Sequence, residues 1–68
     1  MKRVVNLRSF KEELRKRLPA ASPVLSDLLL EPDSMAVDRA EVLIPHYLRR
    51  LEREFEKYEI QGPLVFRP

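Results

Sequence analysis

Six prolines limit where this chain can form regular structure, because proline lacks a backbone N–H and disfavours helix in the residue before it. Pro19 and Pro32 predict the ends of two segments, and Pro23 suits the first position of a helix. Within the segments, apolar residues recur at helical spacings of three and four. We therefore predict a single all-α domain over residues 1–68, a small three-helix bundle with extended termini. Its helices are expected at about 9–18, 23–30 and 35–61.

The first two helices carry recognisable start signals. Ser9-Phe10-Lys11-Glu12 has the form of a capping box, in which the serine and glutamate side chains bond each other's backbone amides. Ser22 is the expected N-cap of the second helix, directly ahead of Pro23. These signals predict that the two helices begin at Ser9 and Pro23.

The third segment carries the longest apolar stripe, and Pro45 lies inside it. Pro45 either kinks one long helix or separates two helices, and the sequence favours the kink because the stripe continues in phase. Asp33 or Ser34 is available as the N-cap, and Gly62 as the left-handed residue that ends the helix.

Both ends of the chain are apolar and extended. Residues 2–7 are a short strand candidate that contains Val4 and Val5. The tail, residues 63–68, places three large apolar residues between two prolines. We expect the tail to dock, either on the core of its own chain or on another subunit, with the Val4–Val5 stretch as a candidate pairing mate.

The short chain has no cysteine, so disulfides cannot supplement its core. At roughly 1.5 kcal/mol per ordered residue, folding costs on the order of 100 kcal/mol in entropy. Apolar burial in so short a chain roughly matches that cost. We therefore expect marginal stability or burial against a protein partner, most simply in a homo-oligomer, although the same stripe would also serve as ordinary core. The predicted partner-binding residues are Ile44, Tyr47, Leu48, Leu51, Phe55, Tyr58, Leu64, Val65 and Phe66.

Catalytic signals are weak. His46 is the single histidine, and its downstream helical neighbours Arg49 and Arg50 cannot orient it as a general base. One glycine excludes a glycine-rich phosphate loop, and one histidine without cysteine makes a zinc site improbable. We predict no enzyme activity, no catalytic residues, no metal, no cofactor and no small-molecule substrate.

Positive charge is concentrated near the N-terminus, where residues 1–18 hold seven bases and two acids in a chain of net charge +2. This excess is either a solvated helix face or a surface for an acidic partner such as nucleic acid. A strand followed by helices over residues 2–30 is loosely similar in order to ribbon-helix-helix repressors and antitoxins, but adjacent Val4 and Val5 break the alternation that their strands use. The candidate nucleic-acid contacts are Lys2, Arg3, Arg8, Lys11, Arg15 and Lys16.

These features together predict a non-enzymatic, protein-binding regulatory or adaptor module that acts as a homodimer or as a small subunit of a complex. The alternative is a small DNA-binding transcriptional regulator or antitoxin-like protein that uses the basic N-terminal region. No apolar run approaches the roughly 18 residues that span a bilayer. The basic N-terminus also lacks the apolar stretch of a signal peptide, so we expect a cytoplasmic location and no membrane partner.

Overall fold

A computed structural model describes residues 3–64, which form three helices and a two-stranded sheet. The all-α prediction is therefore right about three helices and incomplete, because it lacks the sheet. The elements in chain order are β1 (Val4–Asn6), α1 (Arg8–Arg17), α2 (Pro23–Leu30), β2 (Ser34–Ala36) and α3 (Val37–Lys57).

The sheet joins two short segments that lie far apart in the sequence. β1 pairs with β2 antiparallel, with Val5 opposite Met35. The pairing continues at one end with a bond of 2.6 Å from the Leu7 N–H to the Asp33 carbonyl. The expected extended segment near the N-terminus is confirmed as β1, but Ser34–Ala36 was wrongly assigned in part to the third helix. α3 begins at Val37 because the preceding residues are held in the sheet.

α1 begins one residue earlier than predicted, at Arg8, and its N-cap residue Leu7 has no capping side chain. The Arg8 N–H is bonded instead by the Asn6 side-chain oxygen at 2.8 Å. The predicted capping box is wrong, because Ser9 already lies within the first helical turn. At the other end, α1 finishes at Arg17, and Leu18 and Pro19 leave the helix as expected.

α2 is confirmed at both ends, from Pro23 to Leu30. The Ser22 side chain accepts a hydrogen bond of 3.3 Å from the Leu25 N–H, and Pro23 occupies the first turn. Ser22 is itself fully buried. Its burial places the start of α2 inside the molecule, so the cap serves packing as well as helix formation.

α3 continues across Pro45 as one helix of 21 residues, and the expected kink stays a prediction. The helix ends at Lys57, and the turn that follows has the bonds of a Schellman motif. The Ile60 N–H donates to the Phe55 carbonyl at 2.8 Å, and the Glu59 N–H donates to the Glu56 carbonyl at 3.2 Å. Glu59 supplies the left-handed residue, with φ of 53°. The predicted cap at Gly62 is therefore wrong, although Gly62 also has positive φ.

The main core lies where the three helices meet, and a smaller cluster packs beside the sheet. Leu28 of α2 and Leu51 of α3 are completely buried at the centre. The smaller cluster is formed by Leu7, Met35 and Ala40. Buried side chains of the main core are Phe10, Leu14, Leu18, Val24, Leu25, Leu28, Tyr47, Leu51 and Phe55.

Candidate protein-binding site

Most of the predicted partner-binding stripe is used inside the chain itself. Tyr47, Leu51 and Phe55 are buried in the main core. Leu48, Tyr58 and Leu64 are half-buried against that core, and Ile44 packs on the smaller cluster. Val65 and Phe66 lie outside the described residues. The buried part of the stripe therefore offers little surface, and any partner must contact the margins that stay open.

A wide opening among the described residues lies at the C-terminal end of α3. Here the end of the helix and the segment that follows enclose an open groove of about 810 Å³. Phe55, Ile60 and Leu64 supply the apolar part of a lining that is otherwise largely polar, and three glutamates stand at its rim. We call it the acidic groove, and its lining residues are Glu52, Phe55, Glu56, Glu59, Ile60, Gln61, Gly62 and Leu64.

One side chain from α1 shapes the wall of the acidic groove. The Arg17 guanidinium donates to the Gln61 carbonyl at 2.8 Å and to the Pro63 carbonyl at 3.0 Å. The same group stacks 4.6 Å above the centre of the Phe55 ring. Gly62 lies between these contacts with φ of 105°, and a Cβ added there would come within 3.0 Å of Arg17 Nη2. Arg17 therefore holds the segment after α3 against the core, and Gly62 allows the close approach.

The rim of the acidic groove carries negative charge that forms no ion pair with residues 3–64. Glu52, Glu56 and Glu59 are exposed. Their carboxylates make no ion pair or hydrogen bond with any residue in the described range 3–64. The spacing of four and three residues places them at one edge of the groove. An apolar floor with an unpaired acidic rim can hold a partner that is apolar and basic.

A second polar cluster joins α1 to the segment after α2. Lys11 is 6% exposed, and its ammonium donates to the Glu31 carbonyl and, at 2.9 Å, to Asp33 Oδ1. That hydrogen bond and the positive charge of Lys11 hold the pKa of the Asp33 carboxyl below its ordinary value. Lys11, one of the predicted nucleic-acid contacts, is therefore occupied within the fold.

Glu31 continues the same cluster towards α3. Its carboxylate accepts a hydrogen bond of 2.9 Å from the Tyr47 hydroxyl and lies 3.6 Å from the Arg39 guanidinium. Burial, followed by the hydrogen bond to Glu31, raises the pKa of Tyr47 to about 12. Every charged group in this cluster has a partner, which marks it as a structural junction between the helices.

Of the remaining predicted nucleic-acid contacts, Arg8 and Arg15 line one depression together with Lys11, Glu12 and Asp33. Arg3, Arg8, Arg15 and Lys16 are exposed, and Lys2 lies outside the described residues. Arg8 lies 3.6 Å from Glu12 in an exposed ion pair, so acidic groups interrupt the basic face of α1. This arrangement gives a mixed surface rather than a basic stripe.

Two further titratable groups, His46 and Glu54, lie outside these clusters. His46 is exposed and contacts Tyr47 edge-on, with ring centroids 5.7 Å apart. Glu54 is buried, with one carboxylate oxygen 3.3 Å from the Ser22 hydroxyl and the other without a hydrogen-bond partner. Between residues 3 and 64 we find no group of three or more acidic or histidine side chains arranged to hold a metal ion. Glu54 of α3 therefore packs against the start of α2, where it contacts Ser22.

Sequence reasoning missed the rim of the acidic groove and Ile60 on its floor. The signal that could have found the rim is the repetition of glutamate at 52, 56 and 59 beside Phe55. The turn that brings Ile60 back towards Phe55 has no such signal, because Glu59 adopts a conformation usually taken by glycine.

Comparison with known proteins gave no match: no family model, no curated protein and no solved structure matches this chain. None of the helices in the described part of the chain is both long and apolar enough to cross a membrane.

Proposed function

We propose that this chain is a non-enzymatic, protein-binding module with a regulatory or adaptor role, acting as a homodimer or as a small subunit of a complex. The acidic groove is its binding site. Partner residues enter the groove against Ile60 and Leu64 and cover the exposed edge of Phe55. The sequence predicted binding through the apolar stripe of α3. The proposed binding surface is different, because the centre of that stripe is buried in the main core.

The observation that carries the proposal is the apolar floor of an open groove in a chain of this size. Ile60 and Leu64 are only half-buried although they pack against the main core. Arg17 fixes the wall with two hydrogen bonds, so the groove does not have to be ordered when a partner binds. A groove with fixed walls and an apolar floor is the usual form of a peptide-binding site.

Selection from a random peptide library against the immobilised full chain tests the site. We expect selected peptides to lose binding to Leu64→Asp, which places a charge on the groove floor. Leu30→Asp is the matched control, because Leu30 is 86% exposed outside the groove. Binders that are insensitive to Leu64→Asp, or equally sensitive to Leu30→Asp, would contradict the site.

Sedimentation of the full chain over a micromolar concentration range tests the homodimer form. A dimer is expected to sediment above the monomer mass of 8.1 kDa and to dissociate when residues 63–68 are deleted. A folded monomer at every concentration, with an unchanged fold after the deletion, would rule out the homodimer and leave the small subunit of a complex.

The alternative proposal is DNA binding through Arg3, Arg8, Arg15 and Lys16. It predicts affinity for duplex DNA that falls steeply with salt, because neutralised phosphates release counterions. Absence of binding to duplex DNA at low salt would remove it. The occupied ammonium of Lys11 gives this alternative less support than the groove gives to protein binding.

A further inference from the structure

We infer that the acidic groove binds a basic amphipathic helix of a partner protein, one that presents large apolar side chains flanked by lysine or arginine. This inference rests on the proposed function and adds the chemistry of the partner. The charge and the shape of the groove support this inference. Two features of its rim that lower the stability of the fold support it as well.

The groove and such a helix are complementary in charge. Glu52 and Glu56 are one helical turn apart, about 6 Å along the axis of α3. Basic residues four positions apart on a partner helix have the same separation, so two or three carboxylates can each receive a cation. Apolar side chains between those cations would contact Ile60 and Leu64.

The acidic rim is placed where carboxylates destabilise the fold. The C-terminal end of a helix carries partial negative charge, so acids are unfavourable there and bases are favourable. α3 nevertheless has Glu56 beside Lys57 in its last turn, and Glu59 is the second residue after its end. By charge alone, lysine or arginine would be more favourable than glutamate at these two positions.

Glu59 has a second disadvantage. It takes the left-handed conformation, with φ of 53°, that glycine adopts without strain. Strained conformations and broken local rules concentrate at functional sites. Two local costs therefore coincide at Glu59, one of the rim residues of the groove.

The other classes of occupant fit less well. Nucleic acid is repelled by three unpaired carboxylates. A second copy of the chain would have to offer a basic apolar helix, but α1, the helix in the basic N-terminal region, has Glu12 and Glu13 among its bases and buries Lys11. A basic helix from a different protein meets neither objection.

Fluorescence anisotropy with a labelled helical peptide of leucine and lysine tests the inference on the full chain. We expect binding that weakens with salt. The variant E52Q/E56Q/E59Q should bind about tenfold more weakly, as expected for the loss of three exposed charge pairs. The matched control E12Q/E13Q/E41Q removes the same charge from exposed positions outside the groove and should bind as the parent does.

Two further probes separate charge from apolar contact. A peptide in which glutamate replaces lysine should not bind, and one in which serine replaces leucine should bind much more weakly than the parent peptide. Circular dichroism of both triple variants checks that the fold is retained. Equal loss in the two triple variants, or no loss in the groove variant, would overturn the inference.

The remaining outcomes identify another occupant and also overturn the inference. Peptide binding that appears only after deletion of residues 65–68 would assign the groove to the chain's own C-terminal segment. Self-association that E52Q/E56Q/E59Q abolishes would assign it to a second copy. Selected peptides that need Leu64 but ignore the three glutamates would leave the proposed function standing and remove only the basic partner.

Discussion

The acidic side chains around α2 differ from those at the end of α3 in whether they form ion pairs. Around α2, Asp27 pairs with Arg50 at 2.7 Å, and Asp33 pairs with Lys11 at 2.9 Å. At the end of α3, no partner within residues 3–64 meets the carboxylates of Glu52, Glu56 and Glu59. Paired acids hold helices together, whereas unpaired acids beside an apolar groove are available to another molecule.

The two regions also differ in how well each residue suits its backbone position. α2 begins with a serine cap followed by proline, the arrangement that local rules predict. The turn after α3 has glutamate in the left-handed position, while the chain's single glycine stands three residues further on. The backbone at the start of α2 therefore follows local rules, and the backbone at the end of α3 does not.

The largest effect is expected from Ser22→Ala at the start of α2. The change removes the cap of the Leu25 N–H and the hydrogen bond to buried Glu54, whose other oxygen already lacks a partner. Losing a cap costs about 1 kcal/mol, and a newly unpaired buried group costs about 1–2 kcal/mol more. Urea unfolding should show a loss of about 2–3 kcal/mol.

Ser26→Ala is the matched control for Ser22. The Ser26 hydroxyl donates a hydrogen bond of 3.3 Å to the Ser22 carbonyl, but Ser26 is exposed. Its replacement should change stability by less than about 0.5 kcal/mol. If the two variants lose the same stability, the Ser22 cap does not stabilise the start of α2.

The next effect in size is expected from Gly62→Ala at the wall of the acidic groove. Alanine is strained at φ of 105°, and its Cβ would lie 3.0 Å from Arg17 Nη2. We expect a loss of about 1–2 kcal/mol from the strain. The neighbouring change Gln61→Ala keeps the carbonyl that Arg17 binds and should be nearly neutral. Equal effects of the two changes in thermal unfolding would show that this segment is not held by Arg17.

A smaller effect, of opposite sign, is expected from Glu59→Gly. Glycine relieves the left-handed strain, and part of the gain is offset by the greater freedom of glycine in the unfolded chain. Stability should rise by up to about 1 kcal/mol. Glu41→Gly, within α3 and exposed, should lower it by about 1 kcal/mol. A destabilised Glu59→Gly variant would contradict the view that glutamate at this position lowers the stability of the fold.

The same contrast explains how far sequence reasoning reached into the fold. α2 was predicted with its correct ends because its start and stop signals are local, at Ser22, Pro23 and Pro32. β2 was missed because it depends on pairing between Val5 and Met35, residues that lie 30 positions apart. The end of α3 was misplaced because left-handed geometry was expected at Gly62, whereas Glu59 adopts it.

The candidate site was harder to predict than the fold for a physical reason. A helical stripe has the same period whether it packs inside one chain or against another, so Tyr47, Leu51 and Phe55 could not be assigned to the core in advance. The burial of Lys11 was hidden likewise, because its partners Glu31 and Asp33 come from another part of the chain. Placement of charge therefore has to be read from tertiary contacts.

The smallest effect concerns the paired acids and depends on pH. Because the folded-state pKa of Asp33 lies below the unfolded value of about 3.9, its pairing stabilises the fold at pH values above about 4. This contribution is lost as the pH falls through the folded-state pKa. In a carbon-13 NMR titration, Lys11→Met should return the Asp33 pKa towards its ordinary value, because the ammonium that lowers it is gone. Lys16→Met, which removes an exposed lysine from the same helix, should leave the Asp33 titration unchanged. An Asp33 titration that Lys11→Met does not move would show that the acids after α2 are no better paired than those at the groove.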